Sequence, residues 1–223
     1  MKKTRMIVAA LLAMTMLLLC ACSNGNANKP DNKPADNAPQ EQTNKPAEPA
    51  PETPAEPSAP AEFDGKLHGP FVMTTCGQST GSVMFHMVAV QAGQTSADEH
   101  QLMADELATV GADAKTLVIT TGTSGKGMGA AGTDVNDEIE RCVAVAQAAK
   151  DAGMTIVCAH VEGMSRRTDA NDQASIDAIL PLADVIVCVE ESDSDKLFSN
   201  YAAENNKPII IVPDTLALAD YFA

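Results

Sequence analysis

Thr116-Leu117-Val118-Ile119-Thr120-Thr121, running into Gly122-Thr123-Ser124-Gly125-Lys126-Gly127-Met128-Gly129-Ala130-Ala131-Gly132-Thr133-Asp134, decides the fold. The first half is an unbroken run of apolar and β-branched residues, which is how a strand covered on both faces reads. The second half is a glycine-rich polar segment. It leads into Val135, Ile139, Cys142, Val143, Ala146 and Ala149, which share one face at a 3.6-residue period. A helix is expected from about Asp134, with Gly153 ending it as a glycine after the last apolar turn commonly does. Strand, loop and helix make one βα unit.

The same unit recurs on either side. Phe71–Thr75, Thr155–Ala159, Val185–Val189 and Ile209–Val212 are further short apolar runs, separated by stretches of helical character. Asp98 with Gln101 reads as a helix start, and Ser192 with Asp195 as a capping pair before a later helix. Such alternation predicts a single three-layer, doubly wound α/β domain with a five-stranded, mostly parallel sheet, flavodoxin-like or Rossmann-like. A 2-1-3-4-5 strand order is the first expectation. Right-handed crossovers put every strand's C-terminal end on one edge, and ligands of such sheets sit there, where strand order reverses.

The chain opens differently. Lys2, Lys3 and Arg5 precede an apolar stretch, Met6 to Leu19, that is too short for a comfortable membrane span. Leu19-Cys20-Ala21-Cys22 follows, with a small residue just before Cys22. Residues 1–21 therefore read as a lipoprotein signal peptide, cleaved before Cys22, whose thiol then carries a palmitate-type acyl chain. Residues 22–62 are rich in Pro, Asn, Ala, Glu and Lys and bury too little to fold, so they read as a disordered tether. Residues 63–223 form the α/β domain. The expected partner is the membrane, through the anchor, and the expected location is its extracytoplasmic face.

Charge narrows the function classes. The formal net charge is −15, of which residues 63–223 carry about −14, with 23 acidic and nine basic side chains. A body this acidic argues against nucleic acid and against surface docking onto anionic lipid, though a local basic pocket remains compatible. Trp is absent, which disfavours a stacking platform for bases or sugars. Cys142 falls mid-helix and Cys158 and Cys188 within strand runs, so they read as small buried hydrophobes. Adjacent strands could bring Cys158 near Cys188, but proximity alone does not satisfy disulfide geometry.

Four strand-following loops gather the polar residues. Cys76-Gly77-Gln78-Ser79 nominates Gln78 and Ser79 as a helix cap or ligand contact. The second loop nominates Ser124, Gly125, Lys126, Gly127 and Gly129. It is either an oxyanion cradle, with backbone N–H groups and a lysine around an anion, or a loop whose glycines serve turns and close packing. The third nominates His160 as a pocket or core histidine. It also nominates Arg166 and Arg167, either as a clamp for carboxylate or phosphate or as partners of Asp169, Asp172 or the Glu190–Glu191 pair. Glu190-Glu191-Ser192-Asp193 is the fourth.

Named motifs fail. A phosphate-binding P-loop would need glycine at Thr120 and a hydroxyl at Gly127. Gly127-x-Gly129-x-x-Gly132 matches the dinucleotide pattern literally but follows the second strand and lacks the downstream acid. Neither a cofactor nor a metal is expected: His160 and Glu162 lack an HxxxH or clustered-cysteine companion. Cys76 has no nucleophile-elbow context.

The loops Thr74–Ser79, Gly122–Gly132 and His160–Arg167 resemble an uncharacterised family of exported bacterial proteins, known as a domain of unknown function. Many members look like lipoproteins of anaerobic, Gram-positive-type bacteria. The likeness runs over most of Phe71–Val212, with a TxxGQS / GxSGKGxGAAG / HxxGxxRR-type pattern. The resemblance implies a small residue where Cys76 stands and a glycine near Glu162, and it implies no activity, cofactor or substrate. The expected function is a tethered extracytoplasmic lipoprotein that binds a small anion at the C-terminal edge of the sheet. A hydrolase using His160 with Glu162 or Ser79, or a non-catalytic module of an envelope complex, are the alternatives. No catalytic constellation can be assembled from spacing.

Overall fold

The computed structural model describes residues 63–223. The segments expected to be a signal peptide and a tether, with Cys22 between them, lie outside the described residues. Six strands form one sheet: β1 Phe71–Cys76, β2 Ser96–Asp98, β3 Thr116–Thr121, β4 Thr155–His160, β5 Val185–Val189 and β6 Ile209–Val212. All pairings are parallel, in the order β2-β1-β3-β4-β5-β6. The α/β class is as expected, but the strand count is six rather than five. The additional strand, β2, is three half-buried residues at the sheet edge. Its Asp98 ends a strand and does not start a helix. The five expected strands lie side by side in chain order, and β2 alone supplies the reversal, which falls between β1 and β3.

Strand residues alternate between two cores. Val72, Leu117, Ile119, Ile156, Cys158 and Ile186 face one side. There they meet α2 (Leu107–Val110), α4 (Val135–Asp151), α5 (Ala170–Ile179) and α6 (Leu197–Glu204) through residues such as Val145, Ile176 and Phe198. Phe71, Met73, Val118, Val157 and Val187 face the other side, against α1 (Gly81–Gln91) and a 3₁₀ segment, Thr215–Tyr221. Each such side chain, fully buried, contributes about 1.5–3 kcal/mol. Both faces being covered explains why these strands read as continuous apolar runs.

Helix ends follow local chemistry. Asp134 caps α4 by accepting from the Asn136 and Asp137 amides, and Asp137 reciprocates in a capping box. Gly153, at φ +73°, follows the end of α4 as expected. Asp169 caps α5. Helix α6 departs from expectation: Ser192 lies in a 3₁₀ turn, Glu190–Asp193, and Lys196 occupies the N-cap with left-handed φ. Asp195 nevertheless accepts from the Leu197 amide at 3.2 Å. The two ends of the described chain pair: Leu67 N–H donates to Tyr221 at 2.7 Å and Ala223 N–H to Leu67 at 3.1 Å. Phe222 then sets its ring edge-on against Phe71 and Phe85.

Candidate functional site

The reversal between β1 and β3 brings two strand-tip loops together, and they close on each other. Ser124 N–H donates to Gly77 at 2.8 Å, and Gln78 bridges Thr123. The glycine-rich segment after β3 is mostly not a loop. Gly125–Ala131 is a short helix, α3, capped by Ser124, whose Oγ accepts from Gly127 N–H at 3.0 Å. Gly127 lies so close to the Gln78 carbonyl that a Cβ there would overlap its oxygen, whereas Gly125 and Gly129 face open space. The glycine reading that holds at Gly127 is therefore close packing. The literal dinucleotide pattern falls within this helix and its Gly132 end.

Three carboxylates of the chain itself occupy the strand-tip donors. Glu138, on α4, is buried and accepts from Gly77 N–H, the Gln78 amide and Arg141. Arg141 bonds onward to Thr74, the Thr75 carbonyl and the Leu102 carbonyl. Asp172, on α5, accepts from the Thr123 amide and hydroxyl at 2.7 Å each and from the Thr168 amide at 2.9 Å. Burial pushes its carboxyl up, but these donors outweigh burial and hold it below the usual range. Glu162 lies against the first turn of α1: its Oε1 sits 3.2 Å from where a Cβ on Gly81 would be, and its Oε2 accepts from Thr80 and from Arg166 Nε. Burial raises its carboxyl too, yet the hydroxyls of Ser79 and Thr80 and the Arg166 guanidinium bring it down. The positive end of a helix dipole favours a negative group at that position.

The expected site residues divide accordingly. Gln78 is buried, with left-handed φ, and its amide is committed to Glu138 and the His100 carbonyl. Ser79 is buried against Thr75 at 3.2 Å. His160 is fully buried. Its Nε2 donates to the Gly163 carbonyl at 3.3 Å, so Nδ1 accepts from the Thr121 hydroxyl at 3.0 Å. Burial pushes its pKa down to about 4, so the ring is neutral at physiological pH. It is a satisfied core histidine, as one of the two readings held. Arg167 forms a bidentate pair with Asp195 at 2.6 and 2.7 Å, a partner not among those expected, and lies over the Phe198 ring. That pairing holds the Asp195 carboxyl down to about 2.

Two predicted cations remain available. Lys126 is exposed on α3 and has no ion-pair partner among the described residues. Arg166 gives Nε to Glu162 and Nη1 to the Thr123 carbonyl at 2.8 Å, which leaves Nη2 uncommitted. A hollow of about 280 Å³ at the tips of β4, β5 and β6 is lined by Glu162, Glu191 and Asp214 and by no basic side chain. Anions are therefore disfavoured on that side of the edge. Among the described residues no three His, Cys, Asp or Glu side chains cluster for a metal, and no helix is long and apolar enough to cross a membrane.

The four cysteines among the described residues, Cys76, Cys142, Cys158 and Cys188, are buried thiols. Cys158 and Cys188 lie on neighbouring strands but out of register, Cys158 opposite Ile186 and Cys188 opposite His160. Burial pushes the Cys188 thiol up to about 12 and Cys158 higher still. Contact with Cys76, together with burial, raises Cys142. Sequence reasoning missed Glu138 and Asp172 as site organisers. Glu138 lies next to Ile139 on the amphipathic helix, and that position was the available signal.

A family model described as "Domain of unknown function (DUF6305)" matches residues 68–223. The chain belongs to this family. No curated protein matches it. Among solved structures, a GDSL-like lipase from Bacteroides thetaiotaomicron is similar at a TM-score of 0.34 and 10% identity, covering 63% of this chain and 66% of the lipase chain. The DUF6305 match spans every strand and helix described above, including the three carboxylates that hold the strand tips. In this DUF6305 member the tips are organised by the chain's own anions.

Proposed function

We propose that this protein is an extracytoplasmic lipoprotein, acylated on Cys22 and tethered by residues 22–62, whose α/β domain binds a small anion at the C-terminal edge of its sheet. The observation that carries the reading is the pair of uncommitted cations, Lys126 and Arg166 Nη2, beside the closed β1–β3 loops on an acidic body. Arg166 acts as the directional contact and Lys126 as a mobile point charge. Glu138, Asp172, Gln78, Ser79 and His160 hold the loops and do not touch the ligand. A binding role fits better than hydrolysis, because both nitrogens of His160 are engaged and neither reaches Ser79.

The test is a thermal-shift titration with carboxylates. Lys126→Gln and Arg166→Gln should each lose anion-induced stabilisation, while Arg167→Gln lowers the melting temperature without changing the anion increment. Equal increments in all variants would remove the site. Acyl-specific mass spectrometry of the purified chain tests the anchor: a mature N-terminus at Cys22 bearing acyl groups is expected, and an unmodified Cys22 would overturn it.

A further inference from the structure

A further hollow in the described domain lies not at the strand tips but at the opposite edge, where strands begin. It has a volume of about 920 Å³ and reaches from Phe63 to Pro208, with buried Leu67, Val157 and Val185 as its floor. Lys66, Lys150 and Lys207 stand in its wall, half of the six lysines in residues 63–223. The ammonium of Lys207 is held by the carbonyls of Pro181 and Ala183, and that of Lys66 by the Asp220 carbonyl at 2.6 Å. Lys150, in the last turn of α4, has no ion-pair partner among the described residues. The two carboxylates of the wall are committed. Asp64 accepts from Lys66 N–H and pairs with His68 at 2.8 Å, and Asp184 accepts from Ile156 N–H at 2.8 Å.

We propose that this hollow is a second site and that it takes a phosphate-bearing anion. Two of its three cations, Lys66 and Lys207, are held before any ligand arrives, so less ordering is needed on binding. Three ammonium groups against two carboxylates leave the wall net positive above an apolar floor, which concentrates anions there even though the domain as a whole repels them. Compact ammonium groups suit a phosphate as point charges, and the apolar floor suits the ester's carbon portion. Two sources carry that chemistry: a soluble phosphate ester and a lipid headgroup. The described chain enters at Phe63, on the wall itself, so under the tether reading this edge is the one joined to the membrane. The headgroup source rests on that reading, whereas the site itself does not.

Residue-resolved lysine acetylation of the full-length chain tests this. Inorganic phosphate and glycerol 3-phosphate should slow acetylation of Lys66 and Lys150 several-fold, and should do so equally in a Lys126→Gln chain. A Lys66→Gln/Lys150→Gln chain should lose phosphate-induced broadening in phosphorus NMR while keeping the melting temperature. Phosphatidylglycerol bilayers protecting the same lysines more than phosphatidylcholine bilayers identify a headgroup. Protection by the soluble anions alone identifies a soluble ester. No protection of Lys66 and Lys150 by any of these probes overturns the proposal. Loss of protection on Lys126→Gln instead of Lys66→Gln/Lys150→Gln assigns the anion to the opposite edge.

Discussion

Asp172 holds Thr123 by two hydrogen bonds of 2.7 Å, one from the backbone amide and one from the hydroxyl, and so fixes the tip of β3 to the start of α5. Its other oxygen takes the Thr168 amide and hydroxyl. No arginine shares the carboxylate; neutral donors alone keep it charged. Asp172→Ala strands the buried amide and hydroxyl of Thr123 and should destabilise the domain by about 2–4 kcal/mol, read by urea unfolding. Asp172→Asn should lose less. A depressed carboxyl contributes stability above its unfolded pKa and loses it as pH falls through the folded value. The wild-type advantage over Asp172→Asn should therefore shrink below about pH 4.

His160 gives the opposite chemistry in a separate window. Its folded pKa of about 4 lies under the unfolded value of 6.5. As pH falls from 6.5 the unfolded chain takes up a proton that the folded chain refuses, so stability declines until about pH 4 and then levels off. The loss should total about 3 kcal/mol, and His160→Asn should remove that slope. Proton NMR should show the ring neutral at pH 5.5; a titrating ring would refute its buried setting.

The glycines of α3 separate into two kinds. Gly129→Ala meets open space and replaces a poor helix former, so it should stabilise by about 0.5–1 kcal/mol. Gly127→Ala collides with the Gln78 carbonyl and should destabilise by about 2 kcal/mol or more. Two thermal melts decide it, and a stabilising Gly127→Ala would show that α3 does not rest on Gln78.

Thiol reactivity checks the cysteine assignment. All four thiols are buried out of a reagent's reach, and those of Cys142, Cys158 and Cys188 are also raised, which makes them poor nucleophiles. Iodoacetamide at pH 8 should leave Cys76, Cys142, Cys158 and Cys188 unmodified in the native chain and alkylate all four in denaturant. Native-state labelling of Cys76 would reopen a nucleophilic role for it.

The βα alternation was legible because covered parallel strands leave long apolar runs, and Thr116–Thr121 and Val185–Val189 are such runs. Ser96–Asp98 was not, since a three-residue edge strand leaves no apolar run of its own, and the strand-order reversal depended on it. Helix α3 read as a loop because Gly125, Gly127 and Gly129 are poor helix formers, while the contact that requires Gly127 is tertiary. The candidate site residues were nominated by their position along the strands. Their commitments were not, because the partners Glu138, Asp172 and Asp195 come from distant segments. A negative residue anywhere on an acidic chain looks like surface.

The pairing of Leu67 with Phe222 has a practical consequence. Ala223 finishes beside Lys66, so an affinity handle or fluorescent protein added after it would emerge next to the lysine-walled hollow. Such a fusion would crowd that rim and mask exchange there, while an assay at the far edge would be undisturbed.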